Sequence, residues 1–208
     1  MTNATATDTH LPTKALQTDG LSRDEVRGRS AGIIVGAVMG FTWVGSALLT
    51  LSSLVAVPVL VASVAVVAVL VTGARRLRRG AMPMPASTPA RASLRKVGRS
   101  FILVTAGEGA AIAAAGSILA RSGHSLWIPA VICAVVGLHF VARARLFSLQ
   151  LYYATAMALC LVAVITMILG ATGSPASLWQ LVPGFGAALA LWATSARLLV
   201  ATPVGSST

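Results

Sequence analysis

Six long apolar runs, separated by short polar segments, dominate the hydrophobic pattern of the chain. Each run reaches about 18 residues or more, the length at which a helix crosses a hydrocarbon layer of about 30 Å. Apolar and polar residues do not alternate within the runs, as they would in the strands of a membrane β-barrel. The pattern therefore predicts an all-α, polytopic transmembrane helix bundle with six spans, at about 31–50, 54–74, 100–120, 126–143, 149–171 and 177–199.

Composition places the chain among membrane proteins. Of its 208 residues, 56% are hydrophobic and 10% are charged, and the mean hydropathy is +0.85. A soluble domain of this length is far less apolar. Residues 1–29 are polar and lack the apolar core of a cleaved signal peptide, so we interpret them as a flexible cytoplasmic tail.

The basic residues predict an orientation. The chain has 16 Lys and Arg and a formal net charge of +11. With a cytoplasmic N-terminus and six spans, every one of the 16 except Arg121 falls on the cytoplasmic side, which is the asymmetry of the positive-inside rule. We therefore expect a multi-pass protein of the bacterial cytoplasmic (inner) membrane with both termini cytoplasmic.

The densest basic block indicates lipid as a partner. It flanks residues 81–90 (AMPMPASTPA) and can attract anionic lipid headgroups at the cytoplasmic face, by about 1 kcal/mol per charge, or can simply set the topology. No aromatic interleaving or nucleic-acid motif accompanies it. The expected partners are the lipid bilayer and its anionic headgroups, and no nucleic acid.

Prolines in the same segment predict the main division of the chain. Pro83, Pro85 and Pro89 prevent a continuous helix there. The expected organisation is a tail at 1–29, a transmembrane hairpin of the first two helices at 30–74, a basic cytoplasmic linker at 75–99, a four-helix transmembrane unit at 100–200 and a cytoplasmic tail at 201–208.

Small residues at a spacing of four predict where helices meet. Gly32, Gly36 and Gly40 lie on one face of the first helix, and Gly109 and Ala113 lie on one face of the third. Helices in a bilayer associate through such faces, because lipid is as apolar as leucine and close packing decides their contact. We expect packing within the chain; the alternative is a second copy, giving a homo-oligomer, or another membrane protein.

Pro183 lies in the outer part of the sixth run. A proline inside a helix removes one backbone hydrogen bond and clashes with the preceding turn, so it predicts a kink. Transporters use such breaks, but many ordinary membrane helices contain one.

A single glutamate interrupts the third run. Glu108 is the only acidic residue after position 25 and lies about 13 Å below the cytoplasmic end of its helix. Protonating an ordinary glutamate at pH 7 costs about 3.7 kcal/mol, and inserting its charged form into the bilayer costs about 2.5 to 3.5 kcal/mol. These costs nearly cancel, so local partners decide whether Glu108 is ionised.

The candidate partners lie on the fourth helix. His139 and Arg143 are four residues apart and share a face, and the short connection between helices three and four favours side-by-side packing. The sequence therefore predicts a polar cluster of Glu108, His139 and Arg143. Thr105, Tyr152 and Tyr153 are further candidate members. The cluster either handles protons or ions, or is a buried hydrogen-bonded set that fixes helix register.

Other chemistry is hardly represented. Cys133 and Cys160 are isolated, without metal-ligand or redox spacing, and fit apolar packing. No phosphate-binding loop, nucleophile elbow or second intramembrane carboxylate is present. We expect no metal, no cofactor and no enzymatic activity.

Four segments resemble, in the same order, parts of small bacterial multi-pass integral membrane proteins of uncharacterised function. They are FILVTAGEGAAI, WIPAVICAVVGLHFVARARLF, LYYATAM and LWATSA. The shared pattern is GLHF at 137–140, ARLF at 144–147 and YYAT at 152–155, and the resemblance covers residues 99–199. Ala142 stands where those proteins often have proline, and Arg143 stands where an apolar residue is expected. The resemblance implies six or fewer helices in a cytoplasmic membrane and no reaction.

Two functions remain open from the sequence. One is a small transporter or channel-like protein in which Glu108 and His139 form a protonatable cluster. The other is a membrane scaffold or interaction subunit in which that cluster is structural.

Overall fold

The computed structural model describes residues 23–80, 88–147 and 149–201, and these residues form six α-helices and no strand. The predicted all-α fold is confirmed. Residues 1–22 of the predicted tail at 1–29, residues 202–208 of the predicted tail at 201–208 and residues 81–87 of the predicted linker lie outside the described residues. The helices are α1 Arg23–Leu48, α2 Ser53–Gly80, α3 Thr88–Arg121, α4 Ile128–Phe147, α5 Gln150–Ala171 and α6 Leu178–Val200, with a 3-10 turn at Ser125–Trp127.

Each of these six helices contains a segment long and apolar enough to cross a bilayer, which confirms the predicted number of spans. Large apolar side chains point away from the bundle, among them Val57 and Leu161, which are 58% and 60% exposed. Such exposure suits a protein surrounded by lipid tails. The spanning segments are Val26–Leu48, Ser53–Gly80, Leu103–Arg121, Ser125–Leu146, Gln150–Ala171 and Leu178–Val200.

Three helices extend further than the apolar runs. α1 begins at Arg23, inside the predicted tail, while α2 ends at Gly80 and α3 begins at Thr88, both inside the predicted linker. Alanine, leucine and arginine are good helix formers, so the basic flanks continue the helical backbone. Pro89 is the second residue of α3, in the first turn, where a helix tolerates proline.

α1 and α6 form the most extensive helix pair of the bundle. A Cβ added at Gly36 would overlap Ser195 Oγ, and one added at Gly40 would overlap the Trp192 indole. Trp192 Nε1 donates a hydrogen bond to the Ala37 carbonyl at 3.1 Å. The glycine face of the first helix therefore packs within the chain, and α1 belongs to the same bundle as α4, α5 and α6.

α4, α5 and α6 form a second part of the core, beside the part where α2 contributes Leu70 and Ala74 against α1 and α6. Gly137 on α4 approaches α5 so closely that an added Cβ would lie 2.8 Å from Cys160 Sγ and 3.2 Å from the Ala156 carbonyl oxygen. Between α5 and α6, Thr155 Oγ1 and Thr194 Oγ1 share a hydrogen bond of 2.6 Å. Small residues and hydroxyl pairs thus bring these helices together, as expected inside a bilayer.

α3 lies at the edge of the bundle and packs mainly against α4. The packing within the chain that was predicted for Gly109 and Ala113 is wrong for the described residues: nothing lies within 4 Å of a Cβ added at Gly109, and Ala113 is exposed. The reason is rotational, since Glu108 and Ile112 occupy the face toward the core. The next residues along the helix are turned away by about 100°.

Candidate functional site

A cavity of about 210 Å³ lies inside the bundle, lined by residues of α1, α3, α4 and α6 and by one residue of α5. Most of its wall is apolar and includes Val35, Met39, Trp43, Leu191 and Leu198. Seven polar side chains also line it: Thr105, Glu108, His139, Arg143, Tyr152, Thr194 and Ser195. The predicted cluster thus lines a cavity, with the exception of Tyr153.

Glu108 and His139 face each other across the contact between α3 and α4. Glu108 Oε2 lies 3.3 Å from His139 Nε2, and the side chains keep only 14% and 4% of their exposure. α3 and α4 are joined by the short segment 122–127, which brings positions equidistant from it together. The carboxylate is therefore sheltered by protein, next to an imidazole.

Arg143 extends the polar side of the cavity by one turn of α4. Its guanidinium carbon lies 5.5 Å from the centre of the Phe140 ring, and that ring meets Tyr152 edge-on at 5.7 Å. A cation over an aromatic face is attracted to the ring electrons. Arg143 also attracts Glu108 electrostatically, so the cavity holds one acid with one permanent cation.

Tyr152 brings α5 to the site and reaches across to α1. A Cβ added at Gly32 would lie 3.7 Å from Tyr152 Oη and 4.0 Å from Leu198. Arg29, one turn before Gly32 on α1, lies near the Tyr152 phenol. Gly32 therefore leaves room for the phenol at the end of the cavity where the basic residues of α1 and α4 lie.

Two hydroxyl groups of α6 line the cavity without having been predicted. Thr194 Oγ1 donates to the Ala190 carbonyl at 2.7 Å and Ser195 Oγ donates to the Leu191 carbonyl at 2.9 Å. Both bonds stay within α6, which is how hydroxyls are satisfied in apolar helices. The only sequence signal was a Thr-Ser pair inside an apolar run, and many membrane helices contain one.

The remaining candidates lie elsewhere. Tyr153 is 41% exposed and does not line the cavity. Pro183 is buried inside α6, which continues on both sides of it, and the predicted kink stays a prediction. Gly109 and Ala113 lie on the exposed side of α3.

The cavity opens toward the outside of the bundle between α1 and α3. Val35 and Met39 line it and yet are 48% and 41% exposed, and Thr105 is exposed on the facing helix. All three lie within the membrane-spanning segments. The polar groups are therefore accessible from the outside of the bundle past an apolar rim.

Among the described residues, no group of three or more His, Cys, Asp or Glu side chains converges as a metal site. Cys133 is buried with its Sγ 3.3 Å from the Leu159 carbonyl oxygen, a packing position between α4 and α5. Comparison of the chain with family models, with curated proteins and with solved structures found no match.

Proposed function

We propose that this multi-pass membrane protein is a small transporter whose solute and proton site is the cavity at Glu108 and His139. One observation carries the proposal: the one carboxylate of the described spanning segments lines a cavity whose wall also includes an imidazole, a guanidinium and four hydroxyl-bearing side chains. A register-fixing pair alone needs no cavity, because close packing would satisfy it.

The chemistry of Glu108 suits proton exchange. Its charged and protonated forms have nearly equal cost at this depth, so a change in its surroundings can change its protonation. Arg143 attracts the carboxylate, and His139 Nε2 lies 3.3 Å from it, whereas loss of these neighbours favours the protonated acid. Proton binding to Glu108 is therefore coupled to the contact between α3 and α4.

α3 is the element best suited to move. No residue of its Leu103–Arg121 segment is fully buried, so its displacement from α4 breaks few apolar contacts. The Glu108–His139 contact is one polar link between α3 and the bundle; His139 also interacts with the Val104 backbone of α3. Protonation of Glu108 weakens that link and lets α3 tilt, which widens or closes the cavity mouth beside α1.

The charge pattern supports a location and an orientation for the transporter. Basic residues lie in the first turns of α1 and in the last turns of α2, α4 and α6. The helix order brings these turns to one end of the bundle. By the positive-inside rule, we propose that this end faces the cytoplasm in a bacterial inner membrane.

The test is a flux assay on the full chain in liposomes. An internal pH dye reports proton entry after an imposed pH gradient, with valinomycin and potassium clamping the membrane potential. The native chain is expected to dissipate the gradient faster than protein-free liposomes, and Glu108→Gln is expected to remove this excess. The amide keeps the shape of the side chain but carries no exchangeable acid proton.

Two variants control for folding and for local charge. Glu108→Asp keeps the acid and is expected to retain measurable flux. Arg145→Gln removes an exposed charge from the same region of α4 and is expected to behave like the native chain. Equal flux from the native chain and Glu108→Gln would refute the proton role.

A second candidate function, the membrane scaffold, is favoured by the exposed small-residue face of α3. Gly109 and Ala113 lie there with Ala106 and Ala110, and such faces associate in bilayers. The informative variant is Gly109→Leu, because Gly36 packs inside the bundle. If the scaffold role holds, Gly109→Leu abolishes co-purification of the partner or of a second tagged copy; an unchanged complex excludes it.

A further inference from the structure

The cavity has a defined charge, volume and apolar lining, and these properties limit which solutes it can bind. We propose that the cavity binds a small organic monoanion with an apolar body, such as an aromatic or short-chain carboxylate, and takes up one proton on Glu108 with it. This inference rests on the proposed function and adds the substrate class and the coupling to it.

A net charge is costly inside the bundle, where the dielectric constant is low, so a bound solute must keep the charge of the cavity balanced. Three ionisable side chains of α3 and α4 line the cavity: Glu108, His139 and Arg143. With Glu108 ionised and His139 neutral, their net charge is zero. A monoanion bound together with a proton on Glu108 keeps it at zero, because the anion replaces Glu108 as the partner of Arg143.

A cation does not keep this balance. Arginine stays protonated in proteins, so an added cation leaves the site with an excess positive charge whether or not His139 is charged. The other ionisable groups near the cavity do not favour a cation either. Tyr152 on α5 is neutral in its ordinary form, Arg29 near it on α1 is a further cation, and α6 contributes only Thr194 and Ser195 hydroxyls.

The size and the lining of the cavity fit a small solute with an apolar body. A cavity of about 150 Å³ holds benzene, so the 210 Å³ here corresponds to about 6 to 10 non-hydrogen atoms. Val35, Met39, Trp43, Leu191 and Leu198 would surround the body of such a solute. The polar groups are concentrated toward Arg143, which leaves one site for a charged head.

Arg143 is suited to bind the carboxylate group of the solute. A guanidinium donates two parallel hydrogen bonds to a carboxylate, which a single hydroxyl or amide oxygen cannot accept. Arg143 is held beside the cavity by the Phe140 ring at 5.5 Å. The Thr194 and Ser195 hydroxyls lie on the facing helix as further contacts for the solute.

The proton that accompanies the solute binds to Glu108. When the solute carboxylate pairs with Arg143, the Glu108 carboxylate loses its counter-charge and takes a proton from water, becoming a neutral carboxylic acid. No covalent bond to the solute forms or breaks. Release of the anion reverses the step and returns the proton.

The test is equilibrium binding to the full chain in nanodiscs, with three probes of the same shape: benzoate, benzamide and benzamidinium. Benzoate is expected to bind about tenfold or more tightly than neutral benzamide, as charge-assisted hydrogen bonds imply, and benzamidinium is expected to bind least. Benzoate affinity is expected to fall by up to about tenfold per unit rise in pH, since one proton binds with each anion. A pH indicator is expected to record that uptake directly.

Two variants separate the roles. Arg143→Gln is expected to abolish the preference for benzoate over benzamide, whereas Arg145→Gln, which removes an exposed charge two residues away, preserves it. Glu108→Gln is expected to keep benzoate binding but to remove both the proton uptake and the pH dependence. Empty nanodiscs give the background from partition into lipid.

The outcomes distinguish this inference from the proposed function. Preferred binding of benzamidinium, or benzoate binding without proton uptake, overturns the inference and leaves Glu108-dependent proton flux intact. Failure of all three probes alongside Glu108-dependent flux also overturns the solute class alone. Absence of the Glu108-dependent flux overturns the transporter itself.

Discussion

Glu108 Oε2 on α3 and His139 Nε2 on α4 lie 3.3 Å apart, and this contact joins the outermost helix of the bundle to its core. A buried polar pair is destabilised most when one partner is removed alone, since the other loses its compensation. We predict that Glu108→Met and His139→Leu each destabilise the folded protein. The double variant should lose less free energy of unfolding than the two single variants together. The difference should be about 0.6 kcal/mol and at most about 1.7 kcal/mol.

Unfolding in mixed micelles of increasing denaturing detergent measures this double-mutant cycle. Thr42→Val, on the lipid-facing side of α1, serves as the control and should add to His139→Leu within about 0.5 kcal/mol. A coupling of zero for the Glu108 and His139 pair would mean that their proximity has no energetic consequence.

Gly184 on α6 is predicted to be intolerant of any side chain. An added Cβ would lie 2.6 Å from Ala47 Cβ and 3.0 Å from the Trp43 carbonyl oxygen, and neither atom can rotate away. Gly184→Ala should lower the free energy of unfolding by about 1 to 3 kcal/mol, the usual cost of overpacking. Gly109→Ala, with nothing within 4 Å, should not lower it, since alanine favours the helix more than glycine does. Similar thermal stability of the two variants would contradict this prediction.

The hydrogen bond between the hydroxyl groups of α5 and α6 is predicted to contribute modestly to the stability of the folded protein. Thr194→Val removes the 2.6 Å bond to Thr155 Oγ1 while keeping the branched shape, so we expect a loss of about 0.6 kcal/mol. The matched control is Thr42→Val, whose exposed hydroxyl bonds to the Val38 carbonyl of its own helix at 3.1 Å. Detergent unfolding of both variants measures the difference, and equal losses would argue against an interhelical role.

Water is predicted to reach the cavity along the Thr105 side of α3. In a background carrying Cys133→Ala and Cys160→Ser, Thr105→Cys should react with a charged, water-soluble thiol reagent, because the reactive thiolate requires water. Ala113→Cys, exposed two turns further along α3, should stay unmodified in a bilayer. Labelling of intact proteoliposomes followed by mass spectrometry measures both. Equal labelling would show that exposure, and not the cavity, governs reactivity.

Span number and secondary structure followed from the sequence because burial in lipid constrains every residue of a spanning segment at once. Helix ends followed less well. The basic flank at the end of α2 and the segment from Thr88 are polar and yet helical, since backbone hydrogen bonds form in arginine-rich sequence as readily as in apolar sequence.

Helix pairing was only partly predictable, because the spacing of small residues on one helix does not identify the helix that packs against them. Gly36 and Gly109 have the same kind of spacing, but Gly36 meets α6 and Gly109 meets nothing within 4 Å. The pairing of Glu108 with His139 was accessible because they lie on consecutive helices with a short connection. Thr194 and Ser195 were not, because they enter the site from a helix more than 50 residues further along.

The hydrogen bond from Trp192 to the Ala37 carbonyl joins positions 155 residues apart, and this separation has a consequence during synthesis. A ribosome adds about 5 to 20 residues per second, so the glycine surface of the first helix waits roughly 8 to 30 s for the last helix to emerge. Until then lipid, or the insertion machinery, must occupy the place of Trp192. A chain truncated before that tryptophan should therefore be a preferred substrate for membrane quality-control proteases.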